Sequence, residues 1–480
     1  MNGYRIVLTL IAKGSINNLH RREVVDAFRK VGVEVGYLVR EDYVHLIPRF
    51  PDCRYLTCRF INESGRQKYF RDLFRYLRYL YPGGDVCNRH WFRGMLKGKK
   101  SPIKRTMNRL AFFLARFRTV LEGLRRIEAK FLYQGQEIEG VDPEEIDQLV
   151  LLGIGTHGSD LENILNHWAR RHGISVVHMV GNYDHLTSKG YRGGPVDHLL
   201  VWGPAMREDA IHYQGIAAEK IRMIGSIRYN AVAREIQWSR EEFFRYCGLD
   251  PKGKTILFAG PQGEYHYFEM LQVFEELVKQ DQKYQMIFRV YPDKGLMATP
   301  YIRPILAYAR SLPRVYVSLS DPHYQTGSKG LEVPKIEQNE LWHALRYCDV
   351  VVNHFSTMGL EACLFDKPVI YLLYFPLTGY TWIQPPIYYD HGLAIHNRRM
   401  LGYGLARTAS NRSELVQAIQ DAIAYPDKFA QERRRAVENE LGPLDGKAVD
   451  RLVEACREIY EAHRTQRKIG SSKPFSTEKN

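Results

Sequence analysis

The segment of residues 348–375, C-D-V-V-V-N-H-F-S-T-M-G-L-E-A-C-L-F-D-K-P-V-I-Y-L-L-Y-F, reads as a buried strand, a polar turn, a short helix and a second buried strand. Residues 350–352 and 369–373 are short β-branched or apolar runs of the kind that fill a parallel sheet covered on both faces. Between them, Ser356 or Thr357 can cap a helix running to about Leu364, which leaves backbone N–H groups and a positive dipole end facing outward. Such an end suits an anion, a diphosphate for example. Glu361 falls one turn beyond Thr357, so it can accept hydrogen bonds from ribose hydroxyls while Ser356 and Thr357 hold phosphate oxygens. The same residues also describe an ordinary capped helix with Glu361 on its solvated side.

Strand-like and helix-like segments alternate along the 480 residues, which predicts an α/β protein of two doubly wound domains. Residues 6–11, 33–39, 148–154, 174–180 and 198–202 read as strands of the first, with helical spacing at 19–30 and 161–171 and a short strand ending at Gly225. Residues 255–259, 286–290, 315–319, 350–352 and 369–373 read as strands of the second, with helices near 267–279, 301–311 and 336–346. Residues 231–253, charged and weakly patterned, are taken as the connection. The expected layout is therefore a Rossmann-like domain over 1–235, a second over 250–425, helices over 426–464 that cross back, and a disordered tail over 465–480.

One block interrupts the first domain. From about 65 to 135 the chain is rich in arginine and aromatics; Leu110, Phe113, Leu114, Phe117, Val120, Leu121, Leu124 and Phe131 fall at helical spacing among Arg109, Arg116, Arg118, Arg125, Arg126 and Lys130. A basic amphipathic helix of this kind can lie among anionic lipid headgroups, each basic residue adding roughly 1 kcal/mol. A core-packing insertion or a dimer interface fits the same pattern. The excess of 68 Lys and Arg over 54 Asp and Glu, with a pI near 9.3, independently calls for an anionic partner. Nucleic acid is not expected, because no recognised binding module accompanies the charge.

Seven cysteines without a C-x-x-C pair are read as reduced core thiols, and no spacing of His, Cys, Asp and Glu suggests a metal. No stretch is apolar enough to span a bilayer and the opening apolar run ends at Lys13, so a cytoplasmic protein lying on the inner face of the cell membrane is expected.

The S-T-M-G-L-E-A-C-L-F-D-K-P-V-I run, the G-S-I-R-Y-N at residues 225–230 and the late D-G-K-A-V-D-R-L resemble GT-B glycosyltransferases, in the branch that includes CDP-glycerol glycerophosphotransferases and UDP-N-acetylglucosamine 2-epimerases. The resemblance covers about residues 150–455. It implies two Rossmann-like domains facing across a cleft, an acceptor in the first and a nucleotide donor of UDP, CDP or CMP type in the second, with Ser356 and Thr357 at the diphosphate, Glu361 at the ribose, and no cofactor or metal. Asp445, Gly446 and Lys447 match the D-G-K-A motif of teichoic acid polymerases.

The epimerase motifs H-x-E-A-G and H-R-x-E-N are replaced here by H-M-V-G-N-Y-D-H and A-G-P-Q-G-E-Y-H, and the His-Pro of the glycerophosphotransferases by Arg289-Val-Tyr291-Pro292. These departures favour sugar transfer to a cell-surface polysaccharide or lipid-linked glycan over C2 epimerisation or polyol-phosphate transfer. The non-enzymatic alternative is a degenerate scaffold subunit of the same fold. A transferase needs a base for the acceptor hydroxyl and stabilisation of the departing diphosphate. For the base, His157 and Asp160 in T-H-G-S-D and Asp184 in G-N-Y-D-H-L-T-S-K-G follow strands, although Asp160 equally suits a helix cap. Gly14, Ser15, His185 and Lys189 would line the acceptor cleft. Arg289 and the turn containing Gly260, Gln262 and Gly263 would assist the leaving group.

Overall fold

In a computed structural model of the chain, the described residues are 5–11, 16, 18–60, 74, 106, 113–114, 117–133, 137–154, 160–261, 266–291, 296–297, 299–319, 335–374 and 394–471. They divide into two compact units, one of residues 1–230 with 441–480 and one of residues 231–440.

Unit 1 holds the strands β1 (Arg5–Leu10), β2 (Glu34–Arg40), β3 (Arg54–Phe60), β4 (Ile138–Glu139), β5 (Gln148–Leu152), β6 (Ser175–Met179), β7 (Leu199–Val201) and β8 (Ile221–Met223). They form one sheet in the order β4-β3-β2-β1-β5-β6-β7-β8, parallel throughout except for the antiparallel edge pair of β3 and β4. Ile6, Leu8 and Leu10 are buried along with Val7, as a strand covered on both faces requires. Three helices used below are α1 (Arg22–Lys30), α2 (Arg118–Glu128) and α3 (Asp160–Arg171).

The C-terminal helix Ala448–Ser471 belongs to this unit as well. Gln148 Nε2 on β5 donates to the Cys456 carbonyl at 3.0 Å, and Arg451 donates to the Ile224 carbonyl at 3.0 Å. The D-G-K motif is part of this return. Asp445 pairs with Arg451 and accepts from the Lys447 N–H, while Gly446, with φ +78°, gives its N–H to Asn230.

Of the basic block, α2 is among the described residues. Its apolar stripe is split. Leu121 is buried in a core with Leu132, Tyr133, Leu149 and Trp168, whereas Phe113, Leu114, Phe117 and Ile127 are exposed. Arg125, expected on a lipid-facing surface, instead donates to the Gly194 carbonyl at 2.8 Å and pairs with Glu122. Glu122 also meets Arg192 and the Tyr191 hydroxyl, so the helix is clamped onto the 190–195 loop. Arg126 and Lys130 are exposed. Arg109 and Arg116 lie outside the described residues.

Unit 2 begins with helix rather than with an unpatterned connection. Helix α4 (Arg240–Cys247) starts at a capping box in which Ser239 and Glu242 satisfy each other's backbone N–H groups, and it stops at Gly248 in the left-handed region. The sheet contains β9 (Lys254–Ala259), β10 (Tyr284–Arg289), β11 (Val315–Ser318), β12 (Val350–Asn353), β13 (Val369–Leu372) and β14 (Ala406–Ala409). All pairs are parallel, in the order β11-β10-β9-β12-β13-β14. The order reverses between β9 and β12, the position at which open α/β sheets part their crossover helices and bind ligands. Helices α5 (Tyr267–Gln280), α6 (Lys335–Tyr347) and α7 (Thr357–Cys363) flank it.

Candidate functional site

At the carboxyl end of β12 the chain turns through His354 and Phe355 into α7. Ser356 caps the helix, its Oγ accepting from the Met358 N–H at 3.3 Å. Glu361 is buried on this helix and is not on a solvated face. Gly359 sits against β13: a Cβ there would lie 2.4 Å from the Tyr371 hydroxyl, whose ring stacks on Phe355 at 4.7 Å. A glycine at this position lets α7 approach the sheet.

The turn after β9 ends at His266, held at φ +63° immediately before α5. His266 Nδ1 lies 2.7 Å from His354 Nε2, and both rings are buried. Thus the two strands that flank the order reversal each send a histidine to the same point. His266 Nε2 is 3.8 Å from Glu269 Oε2, and the Tyr374 ring meets the His266 ring edge-on at 5.0 Å. Burial, then the neighbouring His354 ring, holds the His266 pKa well below its ordinary value, so the ring is neutral. Burial pushes the Glu269 carboxyl up, with the Tyr374 hydroxyl and Arg412 acting against it.

Gly260 is on the same rim. A Cβ there would lie 2.2 Å from the Tyr267 ring, and the Tyr267 hydroxyl donates to the Pro261 carbonyl while accepting from the Tyr291 N–H. This tyrosine ties the loops after β9 and β10 together. Gln262 and Gly263 lie outside the described residues. Arg289, the last residue of β10, is turned into the protein: its guanidinium donates to Ser318 Oγ at 2.8 Å and stands 3.6 Å from Glu340 on α6. Its charge is therefore engaged within the fold.

In unit 1, Asp184 and Lys189 are brought together at 3.2 Å, and Ser188 Oγ donates to Asp184 Oδ2 at 2.7 Å. His185 opens the one-turn helix His185–Ser188, and Gln214 Nε2 pins this loop through the Leu186 and Gly190 carbonyls. Asp160 is the first residue of α3. Gly14, Ser15 and His157 lie outside the described residues. Among the described residues, no three His, Cys, Asp or Glu side chains are grouped so as to hold a metal ion, and no helix is long and apolar enough to cross a membrane.

No protein-family model matches the sequence, and no curated protein matches it. Solved structures do match. A UDP-N-acetylglucosamine 2-epimerase from Neisseria meningitidis bound to UDP-GlcNAc is 10% identical, with 95% of this chain and 100% of that chain covered at a TM-score of 0.51. The MnaA protein of S. aureus in complex with UDP is 10% identical, covering 94% and 95% at 0.50, and a further UDP-N-acetylglucosamine 2-epimerase is 13% identical, covering 96% and 97% at 0.52. The chain has the GT-B fold.

Within this GT-B fold, the second sheet brings Ser356, Glu361, Gly260, His266 and His354 to the carboxyl ends of β9 and β12. No sequence spacing announces His266, His354 or Glu269, although His354 stands inside the N-H-F-S-T turn before α7.

Proposed function

We propose that this protein is a glycosyltransferase that moves a sugar from a nucleotide-activated donor to a cell-surface polysaccharide or lipid-linked glycan acceptor. The donor binds in unit 2, its diphosphate at Ser356 and Thr357 and its ribose at Glu361. The observation that carries this reading is the strand-order reversal between β9 and β12, with the Ser356 turn and the buried Glu361 directly after β12. The UDP and UDP-GlcNAc held by the similar GT-B structures support a nucleotide-sugar as the donor class. Asp160, His157 and Asp184 are the proposed bases of unit 1, with Gly14, Ser15, His185 and Lys189 as acceptor-side residues; the bond of Asp184 to Ser188 and Lys189 gives it a structural role in addition. No metal is required by this scheme.

The protein works at the inner face of the cell membrane. Exposed Phe113, Leu114, Phe117 and Ile127, with exposed Arg126 and Lys130 on the same segment, support contact with an anionic bilayer, as does the net charge of +14.

Thermal shift of the purified protein against UDP, CDP, CMP, GDP and dTDP tests the donor class, since a ligand of the native state raises its melting temperature in proportion to affinity. One nucleotide is expected to shift it, and Glu361→Gln to abolish that shift while leaving the ligand-free melting curve in place. No shift with any nucleotide would move the assignment to a scaffold subunit of this fold.

A further inference from the structure

We infer that helix α2 couples contact with an anionic bilayer to the order of the loop at residues 184–195, through Glu122. The inference rests on the proposed membrane contact of this helix and goes beyond it in stating what that contact does inside unit 1.

Two faces of one helix meet different surroundings. Leu121, Glu122, Arg125 and Glu128 recur at helical spacing and are buried or half-buried, Leu121 in the core and Glu128 accepting from the Tyr133 hydroxyl at 3.1 Å. Arg126 and Ile127 are exposed, as are Phe117 just before the helix and Lys130 just after it.

On the inner face the contacts with the loop are polar. Glu122 Oε1 accepts from the Tyr191 hydroxyl and, at 3.0 Å, from Arg192 Nη2. Arg125 Nη1 donates to the Gly194 carbonyl at 2.8 Å, and Arg192 Nη1 reaches the same carbonyl at 3.1 Å. Arg192 passes the connection on: its Nε donates to the Gln214 carbonyl and its N–H to Gln214 Oε1, each at 2.8 Å. The buried Gln214 amide in turn donates to the Leu186 and Gly190 carbonyls at 2.7 and 3.0 Å. Glu122 is therefore one end of an unbroken run of hydrogen bonds into the loop that carries Asp184, His185 and Lys189.

Opening of this network exposes the Arg192 N–H, held by Gln214, and the Gly193 N–H, held by the Ile154 carbonyl at 3.1 Å. A bilayer that takes up the outer face of α2 binds the closed state, in which the helix is docked on the core, and so suppresses opening by mass action. The Glu122 and Arg192 side chains, 27% and 11% exposed, are too enclosed for headgroups to break their pair, so the bilayer adds to the clamp instead of competing with it. The loop is thereby held firmest where a lipid-linked acceptor lies.

The test is hydrogen–deuterium exchange of the full chain, with and without vesicles of phosphatidylglycerol and phosphatidylcholine, read at residues 186–195 beside co-sedimentation with the same vesicles. With about nine-tenths of the protein bound, exchange at Arg192 and Gly193 is expected to slow by up to about tenfold, with exchange in unit 2 unchanged. Glu122→Gln should speed exchange there in the absence of vesicles and remove the vesicle effect, while still co-sedimenting. Arg126→Glu with Lys130→Glu should keep the parent's exchange in the absence of vesicles and lose both binding and slowing. Binding by the parent without slowing in the loop, or slowing that persists in Glu122→Gln, overturns the coupling and leaves the membrane reading standing. No binding by the parent overturns the two together. Should Glu122→Gln fail to fold, the parent's exchange with and without vesicles decides by itself.

Discussion

The side-chain oxygen of Asn230 accepts the backbone N–H of Gly446 at 2.7 Å, while its Nδ2 donates to the Pro443 carbonyl at 3.2 Å. G-S-I-R-Y-N and D-G-K-A, two of the motifs on which the resemblance rests, therefore meet, and the contact closes unit 1. Asn230→Ala is expected to lower stability by about 0.5–1.5 kcal/mol, the usual net contribution of a hydrogen bond whose partners regain water when it is lost. Gly442→Ala should do more. At φ +73° its Cβ would lie 2.1 Å from the Trp202 carbonyl oxygen, a backbone atom that cannot swing aside. Urea unfolding of both variants gives the order of the two effects.

At Gly359 the obstacle to a side chain is the Tyr371 ring. Gly359→Ala should weaken nucleotide binding as α7 is pushed off β13, and lower the melting temperature as well. Tyr371→Phe removes the nearest atom, so the double variant should recover part of the loss. A double-mutant cycle read by thermal denaturation would show this as a coupling energy of about 0.5–3 kcal/mol. Strict additivity would mean that the two residues do not press on one another.

His178 on β6 is buried, its Nδ1 2.8 Å from the Gly153 carbonyl. Burial lowers its pKa from 6.5 to about 4, against the pull of that carbonyl. The native state thus binds fewer protons than the unfolded chain between these values. This contribution to stability is whole above pH 6.5 and is lost as pH falls toward 4. Urea midpoints collected across that window should decline more steeply for the parent than for His178→Gln.

Arg125 and Arg126 are neighbours with opposite surroundings: the first is held by Glu122 and Gly194, the second is exposed. Arg126→Glu together with Lys130→Glu should weaken co-sedimentation with anionic liposomes and leave folding unchanged. Arg125→Glu should instead unfold the clamp on the 190–195 loop, seen as a lower melting temperature without any lipid present. Binding of the unaltered protein is expected to fall sharply with salt. Retention of binding in Arg126→Glu/Lys130→Glu would sink the membrane proposal.

Where the fold was legible, one physical signal carried it. Val350 to Val352, the apolar stretch of β9 and the apolar part of β13 are runs that only a doubly covered sheet can bury, and they became adjacent strands. The unread strands lack that signal. R-Y-L-T-C-R-F of β3 and A-R-T-A of β14 alternate apolar or small residues with arginines, because each lies at or next to a sheet edge where one side meets water. Helix α4 was hidden among charges although Ser239 and Glu242 spell a capping box. Site residues divide in the same manner. Ser356 is readable because a cap is local. The pairing of Arg289 with Glu340, and of His266 with His354, joins residues from separate crossovers, so no spacing announces either one. For that reason Arg289 reads in the sequence as a group for the departing diphosphate, with no sign of Glu340 beside it.

The route of the chain has a consequence for biosynthesis. Strand β5 receives its Gln148 contact from Cys456, and the loop after β8 receives Arg451, so unit 1 cannot complete its hydrogen bonds until the last helix has been made. Unit 2 is wholly contained between Asn230 and Leu441 and has no such wait. During synthesis from the N-terminus, the later-encoded unit is therefore the one able to finish first, while its host stays open with exposed apolar strands. Bringing Asn230 to Gly446 is also entropically easier once the intervening segment is compact, because the loop to be closed is then effectively shorter. A destabilising change in unit 2 would accordingly show itself first as aggregation of unit 1.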